Sequence, residues 1–230
     1  MKTKASEVLK HSRRACKLLL ATCVFIGPVG SSLARSRKVQ DQAVVSVAIY
    51  DYANVGRTHL GQAEGHAAGI FAKVGVRIAW TDYSLRPGTG RAKPENSDAD
   101  FFVRILPGSM ARRGNRRAGA LGESVISPTA EGPLPGGTAN VFYDRVEHIS
   151  SLWDLDPGKI LGDAIAHELG HLLLGANHSD QGIMKALWSV EDLEMAKSGK
   201  LWFCSAETAA IQRAARSLPQ NLSTMAAAPN

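Results

Sequence analysis

The sequence predicts an α/β (α+β) fold built on a mostly parallel, twisted sheet, and three observations carry that prediction. Apolar β-branched runs alternate with segments of helical period, a strand, helix, strand order occupies residues 44–80, and one long apolar helix follows the last strand. Two strands joined through a helix imply a crossover between parallel neighbours. With 230 residues, 44% apolar and 21% charged, the chain has the material for one core. Neither an internal repeat nor a linker divides it, so residues 35–230 are read as one domain.

Taken in order, the chain opens with Lys2, Lys4, Lys10, Arg13, Arg14 and Lys17 against the single acid Glu7. The apolar run 18–26 follows, then Gly27, Pro28 and the small residues around Ser32, Leu33 and Ala34. This is the layout of a secretory signal peptide over residues 1–34, with cleavage expected after Ala34 and a secreted or periplasmic product. The run is about half of the roughly 20 residues that a spanning helix needs, so no stable membrane insertion is expected after cleavage. Much of the formal charge of +6 leaves with this segment, and the case for a nucleic-acid partner leaves with it. Arg112, Arg113, Arg116 and Arg117, set around Gly114 and Asn115, read as a solvated turn. Cys16 and Cys23 also depart, which leaves Cys204 as a lone small buried residue and no internal disulfide.

Residues 44–50 form a β-branched run that reads as a buried strand. Across 60–74, Leu60, Ala63, Ala67, Ile70 and Phe71 share one helical face, and 76–80 alternates as a second strand. Residues 84–98 are rich in Pro, Gly and charge and read as a loop, and 101–106 is a third strand. A short strand is expected within 119–127, a Pro/Gly loop over 128–137, and a fifth strand at 140–143 with Val141 and Tyr143 on one face. The long helix has Asp156 as its cap, Pro157 in the first position and Gly175 past the end. A last helix is expected over 205–218 with Ser205 as cap, and the tail beyond Pro219 is small and polar.

Within the long helix stands His167-Glu168-Leu169-Gly170-His171, the HExxH pattern. Imidazoles four apart project from one face, close enough to bind one zinc ion. Glu168, turned roughly 100° around the axis, reaches a water at that ion and serves as general base. The plainer reading makes all three ordinary helix residues satisfied by hydrogen bonds. Against it, they interrupt a Leu- and Ala-rich buried helix, where an unsatisfied polar group costs roughly 1–3 kcal/mol. A metal satisfies them together. Gly175-Ala176-Asn177-His178 then lets the chain turn back and present His178 as a third nitrogen, leaving a fourth position open as a catalytic zinc requires. Met184, in Gly182-Ile183-Met184, reads from the residues alone as a core filler. His59, His66 and His148 stand singly.

The run from His167 to His171 followed by Gly175, His178 and Met184 resembles the metzincin signature, and His178-Ser179 with Ile183-Met184 is most similar to its matrixin-like branch. The resemblance implies a zinc metallopeptidase domain whose sheet has an antiparallel edge strand, with a zinc helix and a C-terminal helix. It implies Zn2+ held by His167, His171 and His178, Glu168 as base, and Met184 in a turn beneath the metal. A protein or peptide substrate would lie extended along an edge strand, for which 119–127 is the candidate. One departure stands out: Leu172-Leu173-Leu174 precede Gly175, one residue more than the family pattern. An added helical residue turns the exit by roughly 100° and advances it about 1.5 Å, so Asp180 stays open as a substitute third ligand. Two further readings remain: an exported metzincin-like protein that binds zinc or peptide without turnover, and a thermolysin-like hydrolase with Glu191 as third ligand.

Overall fold

The order of elements follows from where apolar period and caps fall along the chain. A computed structural model describes residues 42–83, 99–111, 119–125 and 136–219. The expected signal segment, the 84–98 loop, the arginine cluster and most of the Pro/Gly loop, 128–135, lie outside the described residues. The elements are β1 (Ala43–Asp51), α1 (Arg57–Lys73), β2 (Val76–Asp82), β3 (Phe101–Leu106), the single turn α2 (Gly108–Ala111), β4 (Gly122–Val125) and β5 (Gly137–Phe142). They continue with α3 (Tyr143–Trp153), α4 (Pro157–Leu174), α5 (Val190–Lys197) and α6 (Ser205–Ser217). Among the described residues no helix is long and apolar enough to cross a membrane.

Among the described residues the sheet has five strands, in the order β2-β1-β3-β5-β4. The first four neighbours run parallel, while β4 pairs antiparallel with β5, Gly122 opposite Val141 and Ser124 opposite Ala139. This is the mostly parallel sheet that the sequence predicts, with the antiparallel edge strand that the resemblance implies. Alternate residues of the strands enter one core: Val45, Val47 and Ile49 of β1, Val103 and Ile105 of β3, and Val141 of β5. Helices α1, α4 and α6 supply the other half through Ala67 and Phe71, Ile160, Leu161 and Ile165, and Ile211 and Ala215.

The caps of α4 are those expected. The Asp156 carboxylate accepts from the backbone N–H groups of Gly158 and Lys159 at 2.9 and 3.2 Å, and Pro157 takes the first helical position, where a missing N–H costs nothing. Three local features differ from expectation. The fifth strand ends at Phe142, and Tyr143 opens α3, a helix without a side-chain cap. Helix α5 stands where no element was predicted, started by Ser189 and Asp192, which satisfy each other's backbone N–H groups in a capping box. Helix α6 is capped one residue early, where Cys204 N donates to Glu207 Oε2 at 2.7 Å.

Candidate metal centre

Helix α4 turns His167 and His171 to one side, and their Nε2 atoms lie 3.0 Å apart. His167 Nδ1 lies 2.7 Å from the Ile183 carbonyl, and His171 Nδ1 lies 3.0 Å from the Gly175 carbonyl. A carbonyl only accepts, so each Nδ1 carries the ring's proton and each neutral ring presents a bare Nε2. Two lone pairs therefore face each other with no proton between them. His178, delivered by the loop after α4, completes a group whose ligand atoms all lie within 4.8 Å of one another. Its ring centroid is 4.7 Å from that of His171 and 5.6 Å from that of His167.

The donor set suits zinc. A tetrahedral ion with Zn–N bonds of about 2.0–2.1 Å needs its nitrogens about 3.3 Å apart, close to the separation of the His167 and His171 atoms. Burial pushes His167 down to about 4, with His171 and His178 adding to the effect against the Ile183 carbonyl, and burial also lowers His171. Both shifts favour the neutral ring, the form that binds a metal. Among the described residues, neither Asp180 nor Glu191 belongs to the group. Asp180 is exposed in the loop, and Glu191 is exposed in the first turn of α5. Among the described residues the other histidines are engaged or apart: His59 Nδ1 meets the Tyr143 hydroxyl at 3.3 Å, His66 Nε2 meets the buried Asp163 at 2.9 Å, and His148 is exposed.

The loop behind the helix is fixed at several points. Gly175 adopts φ 93° and ψ −172°, a region that belongs almost to glycine alone, and its N–H still donates helically to the His171 carbonyl at 2.8 Å. That single residue turns the chain after the longer helix, so the added leucine is absorbed at the exit. Beyond His178, Ser179 N donates to the Met184 carbonyl at 3.0 Å and Ser179 Oγ donates to Glu207 Oε1 at 2.5 Å, which ties the loop to α6. Met184 is buried beneath the histidine helix, and a Cβ at Gly170 would come within 2.5 Å of its Sδ. The Ile183 carbonyl serves His167 and also accepts from Trp188 Nε1 at 3.1 Å.

No protein-family model and no curated protein matches the chain. Among solved structures, that of an archaemetzincin from Methanopyrus kandleri is similar to it at 16% identity, over 77% of this chain and 99% of that one, with a TM-score of 0.46.

Glu168 points across the cleft toward β4. It is 5% exposed, and burial, only partly offset by a hydrogen bond from Ser124, pushes its carboxyl up to about 7. Ser124 Oγ lies 2.6 Å from Glu168 Oε2. Sequence reasoning did not reach Ser124, because its partner lies 44 residues on and no local pattern links them. Nor did it reach Glu207, although Cys204 with Glu207 three residues later is the spacing of a helix start. A cleft of about 910 Å³ opens beside these groups, walled by Leu121, Gly122 and Ser124 on the β4 side and by Lys185, Leu187 and Trp188 on the other. Lys185 pairs with Asp192, which pins that second wall to α5.

Proposed function

We propose that the protein is a zinc-dependent metallohydrolase of the metzincin kind, matrixin-like in its loop, which cleaves peptide bonds within an extended protein or peptide. The observation that carries this reading is the meeting of three imidazoles, two with Nδ1 tied to carbonyls, beside a buried carboxylate in an open cleft. His167, His171 and His178 would hold the ion, which supplies Lewis acidity toward a water and a carbonyl when bound. Glu168 takes a proton from the attacking water as the new C–O bond forms. It gives that proton to the amine nitrogen as the C–N bond breaks.

The cleft geometry supports an extended substrate. Among the described residues β4 is an edge strand, so one row of its backbone groups faces away from β5, where a peptide would be laid beside it. Met184 and Glu207 act at a distance, the first under the helix that carries two of the histidines, the second on the loop that carries the third. Export to a secreted or periplasmic location with loss of residues 1–34 belongs to the same proposal, on the basic stretch, apolar run and small residues around Ala34.

The test is hydrolysis of a quenched-fluorescent peptide library by the zinc-loaded domain. Activity that falls by about 10²–10⁴-fold in Glu168→Gln, with the bound zinc retained, supports the proposal. A wild-type domain that binds zinc and cleaves nothing would assign the chain to the binding proteins that share this site without turnover.

A further inference from the structure

Successive residues of a strand face opposite ways, so Gly122 and Ser124 both look toward α4 while Glu123 between them turns to the other face. There Glu123 accepts from Asn140 Nδ2 at 3.2 Å. The two residues that face α4 meet the same side chain. A Cβ at Gly122 would lie 2.7 Å from both Cγ and Oε1 of Glu168, and 2.7 Å from the Asn140 carbonyl. Two residues on, Ser124 Oγ lies 2.6 Å from Glu168 Oε2 and 2.8 Å from the Glu168 carbonyl. The hydroxyl has one proton to give, and a carboxylate is a stronger acceptor than a carbonyl.

Glutamate has three side-chain torsions, and a buried carboxylate without a partner would gain by turning toward any donor in reach. Here the edge strand leaves a gap for the Glu168 stem with a glycine and takes the head with a serine. We propose that Ser124 is the positioning residue for Glu168, holding its carboxylate in the wall of the cleft, with Gly122 leaving the space that this requires. The strand that would receive the substrate backbone therefore also orients the group that moves the proton. This inference rests on Glu168 being that group.

Crystal structures of the metal-free wild type and Ser124→Ala give the first readout, which is independent of turnover. The Glu168 carboxylate is expected to leave its place with the imidazole group unmoved, and zinc titration of Ser124→Ala is expected to give the wild-type stoichiometry. In the zinc-loaded enzyme, Ser124→Ala is expected to lower kcat about tenfold or more with KM nearly constant, the effect of losing one hydrogen bond to a charged group. Ser124→Thr, which keeps the hydroxyl, is expected to restore most of it. A purely structural serine would lower the melting temperature without this split between kcat and KM. The proposal is overturned if the carboxylate keeps its position in Ser124→Ala, or if kcat is that of the wild type while Glu168→Gln is inactive. An active Glu168→Gln would instead strike down the assignment of the base, and this inference with it.

Discussion

At the scale of the residue, the site sets opposite demands on neighbouring side chains. Burial holds His167 and His171 in their neutral form and Glu168 in its protonated form to higher pH than usual. In the metal-free protein the raised Glu168 stabilises the fold below the ordinary carboxylate range and loses that contribution as the pH rises through about 7. The lowered His167 works the other way, contributing above its ordinary value and failing as the pH falls through about 4. Glu168→Gln removes only the first of these. Thermal melts in chelator should show the variant gaining on the wild type as the pH is raised from below 4.5 to above 7, by up to about 3 kcal/mol. A difference that stays flat across that window would contradict the burial argument. Gly170→Ala probes the other side of the helix: its Cβ would meet Met184 Sδ at 2.5 Å and Phe203 Cε1 at 2.9 Å. Overpacking of this kind costs about 1–3 kcal/mol, read as a lowered denaturation midpoint.

At the scale of the element, the helix that carries two of the histidines shows what is legible in a sequence and what is not. Asp156, Pro157 and Gly175 announce both ends of α4, and its apolar stripe announces the face that packs on the sheet. The strands β1 to β3 are equally plain, because β-branched runs bounded by turn residues leave little choice. Helix α3 was hidden because the apolar run of β5 continues without a break into Tyr143, and no Ser, Thr, Asp or Asn marks its start. Helix α5 was there to be read, since Ser189 and Asp192 have the spacing of a capping box, but its stripe is only two turns long. Gly175 announces that the chain turns back after α4, but with one leucine more than the family pattern the sequence alone does not say whether that turn brings His178 to the other two histidines. Gly175→Ala tests that exit. Nothing lies within 4 Å of the added methyl, so the whole effect falls on the backbone, about 1–3 kcal/mol in stability. Zinc affinity is expected to weaken as well, since His178 follows three residues later; unchanged affinity by competition with a chromophoric chelator would show that the exit does not set the site.

At the scale of the whole molecule, the candidate metal centre lies between parts that stand without it. The core runs through β1, β3, β5, α1, α4 and α6, whereas the loop bearing His178 is held by Ser179, Glu207 and Met184. Zinc should therefore raise the melting temperature by linkage, while its removal leaves far-ultraviolet circular dichroism nearly unchanged. A chain that unfolds on chelation would show that the metal, rather than the core, holds the fold. The added leucine in the motif makes the identity of the third donor the point on which the account turns. Zinc stoichiometry and affinity for the wild type, His178→Ala and Asp180→Ala test it most directly. One zinc per chain in the wild type and in Asp180→Ala, with affinity lost by orders of magnitude in His178→Ala, is the predicted result; a wild type that binds no zinc, or a loss that follows Asp180 instead, would contradict it.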